Sequence, residues 1–262
     1  MISKMFRITL MIVIASFALS SAAWAACSNS SVTGVYGFVG GGTDTDGTPT
    51  VTLAQITFDS TTTPASFTGT GTSSHDGVIE TGSVSGTYTV AANCTVTGTS
   101  TIGGGKAHSF SAVVTSTGGV KEVDGKAGAT TGGLVLAQGS PTCTTAGVKG
   151  SYGFNAAGVF VTGAPFTGPL ALVGELVFSV NASGDGVISG RVAGSENGTI
   201  VTFAEESVTG SYSVSSDCTG TGTITPRGGS ALNYSFVIVN SGKEMLAIET
   251  DTDTVVTGSL ER

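Results

Sequence analysis

The sequence predicts an all-β fold: two tandem antiparallel up-and-down barrels that follow a signal peptide. Three observations carry this. Apolar and polar residues alternate at period two, an internal repeat divides the chain, and the composition suits strands and tight turns. Of 262 residues, 41 are Gly and another 41 are Thr, while charged residues make up 11%. An ordinary soluble domain is roughly 25% charged. Thr, Val and aromatic residues favour pleated strands, and Gly favours the turns between them. A helical bundle needs Leu, Glu, Lys and Arg, which are scarce. Ten Lys and Arg are too few to neutralise phosphates, so no nucleic-acid partner is expected. A disordered chain is highly charged and poor in β-branched residues, and this one is neither.

Residues 1–25 read as the targeting segment. Lys4 and Arg7 form its basic start, and Ile8 to Leu19 is an apolar run too short for a bilayer. Ala23-Trp24-Ala25 supplies a small–x–small cleavage pattern, with the cut after Ala25 or Ala26. The short signal is bacterial in type, so a secreted or periplasmic protein is expected. Cys27 follows Ala26 directly, but Trp24 stands where a lipobox carries Leu, which argues against lipidation. No later apolar run reaches ~18 residues, so no transmembrane span is expected. Loss of two basic residues with the signal takes the formal charge from −8 to −10.

The remainder is a duplication, with barrel repeat 1 over 26–140 and barrel repeat 2 over 141–262. Cys27…Gly34-Val35-Tyr36-Gly37-Phe38 matches Cys143…Gly150-Ser151-Tyr152-Gly153-Phe154 at offset 116. Ser83 to Val90 matches Ser207 to Val214, and Asn93-Cys94-Thr95 matches Asp217-Cys218-Thr219, both at offset 124. Ser109-Phe110 matches Ser235-Phe236, and Gly132 and Leu134 match Gly258 and Leu260, at offset 126. The units are of ordinary domain size and too long for solenoid repeats. Within repeat 2, three faces alternate: Leu172, Gly174, Leu176 and Phe178; Val208, Gly210, Tyr212 and Val214; Leu232, Tyr234, Phe236 and Ile238. Turn signals such as Asn181 to Gly186, Asn197-Gly198 and Arg227-Gly228-Gly229 separate them. About eight strands with short connections and uncovered edges favour closure into a barrel, with a two-sheet sandwich as the other arrangement. Such a barrel either fills with side chains or holds one small ligand. The repeat pairs Cys27 with Cys94 and Cys143 with Cys218, and an even cysteine count suits an exported chain. No CxxC or neighbouring His accompanies a Cys, so no metal and no cofactor is expected.

Three stretches carry a family resemblance: Gly150 to Phe154, Gly210 to Thr221, and Gly242-Lys243-Glu244 with Asp251 to Gly258. Together they resemble the allene oxide cyclase barrel-like domain of uncharacterised secreted bacterial proteins. Repeat 2 matches over nearly all its length, while repeat 1 departs from the pattern over Val123 to Leu134. The resemblance implies a calycin-like barrel and no particular activity.

Few side chains suggest chemistry. His75 precedes Asp76-Gly77 and reads as a turn residue, and His108 alternates with Phe110 and reads as solvent-facing or at a rim. Asp44-Thr45-Asp46-Gly47 resembles a calcium turn, but Gln55 stands where an EF-hand needs Glu, so a plain turn is expected. Glu249, Asp251 and Asp253 alternate and are read as keeping an edge soluble, with cation binding as the other option. Glu175 is the candidate catalytic residue. It shares a face with Val173 and Val177, and Gln55 holds its place in repeat 1. A lumenal Glu175 would be an acid or base, and an outward one a solvated residue. Burial between the barrels is a third placement. The favoured function is an exported barrel pair that binds a small hydrophobic ligand or serves the envelope or matrix. The alternative is a cyclase or isomerase acting on a hydrophobic substrate in the lumen.

Overall fold

The computed structural model of the chain describes residues 26–105, 107–115, 119–124, 129–161, 167–201 and 207–262. The expected signal peptide lies outside them. The first barrel contains β1 (Gly34–Thr43), β2 (Pro49–Asp59), β3 (Ala65–His75), β4 (Val78–Val90), β5 (Thr95–Ile102), β6 (His108–Val114), β7 (Val120–Asp124) and β8 (Thr130–Ala137). Each strand pairs antiparallel with the next, and β8 pairs with β1 to close the barrel. The second contains β9 (Gly150–Phe160), β10 (Gly168–Val180), β11 (Gly186–Glu196), β12 (Thr199–Val201), β13 (Ser207–Val214), β14 (Thr219–Pro226), β15 (Leu232–Val239), β16 (Glu244–Glu249) and β17 (Thr254–Glu261). Eight of these close through the β10–β11 and β9–β17 pairings, and β12 is a short addition to the end of β11. The chain is therefore two tandem closed eight-stranded antiparallel barrels. No helix among the described residues is long and apolar enough to cross a membrane.

Aromatic residues at alternate strand positions fill the closed end of each barrel. In the first, Phe58 meets Tyr36 and Tyr88 edge-on at ring distances of 5.3 and 5.2 Å. In the second, Phe178 meets Tyr152 and Tyr212 at 5.4 and 5.0 Å. Glycine makes room for these rings. A Cβ at Gly98 would stand 2.6 Å from Phe110 in the first barrel, and one at Gly220 only 2.2 Å from Phe236 in the second. A short 3-10 turn before each barrel caps this end. The Tyr88 hydroxyl donates to the Val32 carbonyl at 2.7 Å, and the Tyr212 hydroxyl to Thr145 at 2.8 Å. Burial raises both phenols above their ordinary pKa, so they remain donors.

The disulfides are Cys27–Cys94 and Cys143–Cys218, as the repeat implies. The second cysteine of each pair sits in the same turn. Asn93 Oδ1 accepts from Thr95 N, and Asp217 Oδ1 from Thr219 N. These side-chain turns hold Cys94 and Cys218 left-handed, at φ 67° and 70°. Each turn leads directly into the fifth strand of its barrel, β5 or β14.

Strand register corrects two sequence matches. Thr95 pairs with Val113 and Thr219 with Val237, so the counterpart of Phe110 is Tyr234 and that of Phe236 is Ala112, which displaces the match of Ser109-Phe110 to Ser235-Phe236. Gly133 pairs with Gly40, and Gly258 with Ala156, which follows Tyr152 as Gly40 follows Tyr36. The inward counterpart of Gly258 is thus Gly133, not Gly132. A slip of one residue exchanges the two faces of a strand.

The barrels share a largely apolar joint. Outward Leu53, Val51 and Val39 of the first, with Leu134 and Leu136, pack on Val237, Val239, Leu246, Ile248 and Val255 of the second. This explains why β16 is buried along nearly its whole length: one face fills the lumen and the other the joint. Gln55 and Gln138 both donate to the Asp217 carbonyl across the joint.

Candidate functional site

The two lumens differ, and register shows why. Aligning Tyr36 with Tyr152 places Gly40, Thr50, Thr52 and Thr131 where the second barrel has Ala156, Leu170, Leu172 and Val256. The four larger residues form a buried apolar cluster that plugs the upper lumen of the second barrel. Smaller and more polar residues leave the first lumen open. Its cavity is about 200 Å³, against about 40 Å³ in the second.

The cavity of the first barrel grades in chemistry with depth. Phe58, Phe67, Phe110, Val84 and Val96 line the deep part. Thr50, Thr52, Ser100, His108 and Thr131 line the upper wall, and Asp44 stands at the mouth. The Thr131 hydroxyl is buried there with no hydrogen-bond partner. Inward His108 occupies the rim position that its alternation with Phe110 predicts.

The mouth gathers residues from two hairpins. Asp44 and Asp46 lie in the turn between β1 and β2, and His75 ends β3. His75 Nε2 is 3.5 Å from Asp44 and 3.9 Å from Asp46. It also hydrogen-bonds Thr48 Oγ1 at 3.0 Å. Hydrogen bonds from the Thr48 hydroxyl and amide hold the Asp46 carboxyl below its usual range. The three side chains have metal-ligating donors within 4.8 Å of one another. Two carboxylates and an imidazole suit a borderline divalent ion better than calcium. The Thr48 contact already occupies Nε2, so the group stands as a polar cluster at the mouth. His75 and the Asp44–Gly47 turn are unrelated along the sequence, and they meet only through the pairing of β2 with β3.

Glu175 lies outside the lumen. It is exposed on the outer face of β10, opposite Arg191 in register, and its neighbour Val173 is 58% exposed. The inward residues are Leu172, Gly174, Leu176 and Phe178, so the condition for a lumenal acid at Glu175 is not met. The interface placement belongs to its counterpart Gln55.

A different carboxylate occupies the second lumen. Inward positions of β16 are Met245, Ala247 and Glu249, and Glu249 is 0% exposed. Neither carboxyl oxygen has a hydrogen-bond partner. Burial, and secondarily Asp251, pushes its pKa up to about 8. Opposite it, burial raises Tyr234 above the usual phenol range. This overturns the reading of Glu249, Asp251 and Asp253 as one edge-solubilising face. Only Glu249 belongs to the strand. Asp251 accepts from Asn233 N and Nδ2 at 2.7 and 2.6 Å, and Asp253 turns back toward the first barrel. The missed signal was Glu249 in phase with Met245 and Ala247.

No family model matches the chain, and no curated protein matches it. Among solved structures, it is similar to a protein of unknown function from the DUF3598 family of Nostoc punctiforme. Identity is 11% over 88% of this chain and 96% of that one, with a TM-score of 0.28. A putative AttH from Nitrosomonas europaea gives 8% over 87% and 92%, with a TM-score of 0.28. A β-barrel-like DUF1849 protein from Brucella abortus gives 10% over 88% and 97%, with a TM-score of 0.19.

Proposed function

We propose that the chain is an exported binding protein that takes a small, largely apolar molecule into the lumen of its first barrel. The second barrel serves as a filled structural partner. The observation that carries this reading is the exchange of Leu170, Leu172 and Val256 for Thr50, Thr52 and Thr131 at equivalent inward positions. One copy of the duplication keeps a solid core, and the other keeps space bounded by aromatic walls. An apolar cavity of about 150 Å³ in another protein stays dry and takes up benzene, so about 200 Å³ suits a ring with a short chain. The hydroxyls and His108 of the upper wall would face the polar end of such a molecule. Two disulfides agree with export, and the residues over 1–25 supply the signal. The resemblance to the allene oxide cyclase barrel-like group is compatible with this reading, as that group is secreted and bacterial.

Calorimetry with alkylbenzenes of increasing chain length tests it. One equivalent is expected to bind, and affinity is expected to rise by about 0.8 kcal/mol per methylene until the lumen is full. Thr52→Leu copies the second barrel's plug, and is expected to weaken binding by about tenfold or more while leaving the fold intact. No binding by the native chain, or equal binding by Thr52→Leu, would contradict the proposal.

A further inference from the structure

Glu249 plays no part in the ligand site of the first barrel, yet it is fully buried with two unpartnered oxygens. Buried polar groups are ordinarily hydrogen-bonded, and a buried charge needs a partner. Among the described residues none of the salt bridges involves Glu249. Its surroundings offer no cation among the described residues. From β15 the residue in register is Tyr234, itself an acid. From the following turn comes Asp251, whose charge opposes a second negative charge nearby. On β17, one step beyond the Ile248–Thr257 pair, the inward residue is Val256 of the apolar plug. The site therefore accepts a neutral carboxylic acid and rejects a carboxylate.

The turn that follows Glu249 also touches the first barrel. Thr250 N donates to Asn233 O at 2.8 Å, and Asp251 is clamped by Asn233. Asp253 N donates to Gly77 O at 3.0 Å, and Asp253 O accepts from Val161 N at 2.9 Å. Ser74, fully buried, donates its hydroxyl to Thr254 O. A Cβ on Gly77 would lie 2.4 Å from Asp253 Cα, so the two backbones touch. Gly77 and Ser74 flank His75, the residue at the mouth of the first cavity.

We propose that Glu249 is a proton-binding site, and that its proton sets how firmly the Thr250–Asp253 turn closes the second barrel and holds the β3–β4 hairpin of the first. With the proton bound, the neutral acid rests in the lumen and the turn stays shut. When the proton leaves to solvent, the carboxylate has no partner in the lumen. The accessible relief is water admitted by opening the adjacent turn. That opening loosens the contacts to Gly77 and Ser74, and so reaches the mouth of the first barrel. The inference stands apart from the ligand proposal, since it needs no ligand.

Two measurements test it. Infrared spectra of the native protein at about pH 6 should show a protonated carboxylic acid band that vanishes as pH rises through the value set by burial. Native-state hydrogen exchange should show the Thr250 and Asp253 amides opening at least about tenfold more readily at about pH 9 than at about pH 6, after correction for intrinsic exchange. Glu249→Gln, which copies the neutral acid in shape, should abolish both the band and the rise in opening. The proposal is overturned if the native protein at about pH 6 lacks the band, or if Glu249→Gln retains the same pH-dependent opening. Should the variant fail to fold, the native infrared titration decides alone.

Discussion

Glu249 enters the folded barrel with its pKa raised from 4.5 to about 8, first by burial and then by Asp251. The native state therefore holds a proton that the unfolded chain releases. Stability from this group is fully present below about pH 4.5 and is lost progressively as pH rises to about 8. The loss across that window is on the order of 5 kcal/mol. Thermal or urea unfolding of the native protein is expected to show this decline, and Glu249→Gln to flatten it. An unchanged slope in the variant would place the linkage elsewhere. The contrast with Glu175 shows what alternation does and does not reveal. Around Glu175 both phases of the strand are apolar, Val173 and Val177 on one side and Leu172, Leu176 and Phe178 on the other. The sequence leaves open which phase is the lumen. The inward rings of Phe178 and Tyr212 settle it, and they meet only across paired strands. Around Glu249 the same ambiguity hid a buried acid, because Leu246 and Ile248 are as apolar as Met245 and Ala247.

The strands and turns were legible because their causes are local, and the disulfides because the repeat pairs the cysteines. Period-two alternation marks β13 and β15, and the Asn-Cys-Thr and Asp-Cys-Thr triplets encode side-chain-capped turns with left-handed cysteines. Each disulfide closes a long loop, of sequence separation 67 or 75, onto the fifth strand. Replacing Cys27 and Cys94 together by Ser is expected to cost roughly 4 kcal/mol in the chain-entropy account, read as a lowered urea midpoint with unchanged slope. A loss under about 1 kcal/mol would mean that the 3-10 cap and Tyr88 hold this end without the covalent link. The open lumen was less legible. Thr50 and Thr52 look like ordinary polar-face residues until β1–β2 register turns them inward opposite Gly42 and Gly40. The mouth cluster of Asp44, Asp46 and His75 likewise exists only once β2 pairs with β3.

The duplication predicts two tandem barrels, which the fold has, but gives no sign that they share a core. Its trace lay in runs where alternation fails, such as Phe236-Val237-Ile238-Val239 and Met245-Leu246-Ala247-Ile248, all buried. An isolated barrel has no use for the second apolar face, which here meets Val51 and Leu53. Leu246→Asp places an unpaired charge in this joint and is expected to destabilise by on the order of 4 kcal/mol, with both barrels affected. If only the second barrel lost protection in hydrogen exchange, the joint would not couple them. The duplicated fold thus combines one filled barrel, one open barrel and a rigid apolar seam between them. The claim on which this account turns is the difference between the lumens, and xenon-pressurised crystals measure it most directly. The account predicts xenon among Phe67, Val84 and Phe110 of the first barrel and none behind Leu170 and Leu172 of the second. An empty first lumen, or equal occupancy of both, would contradict it.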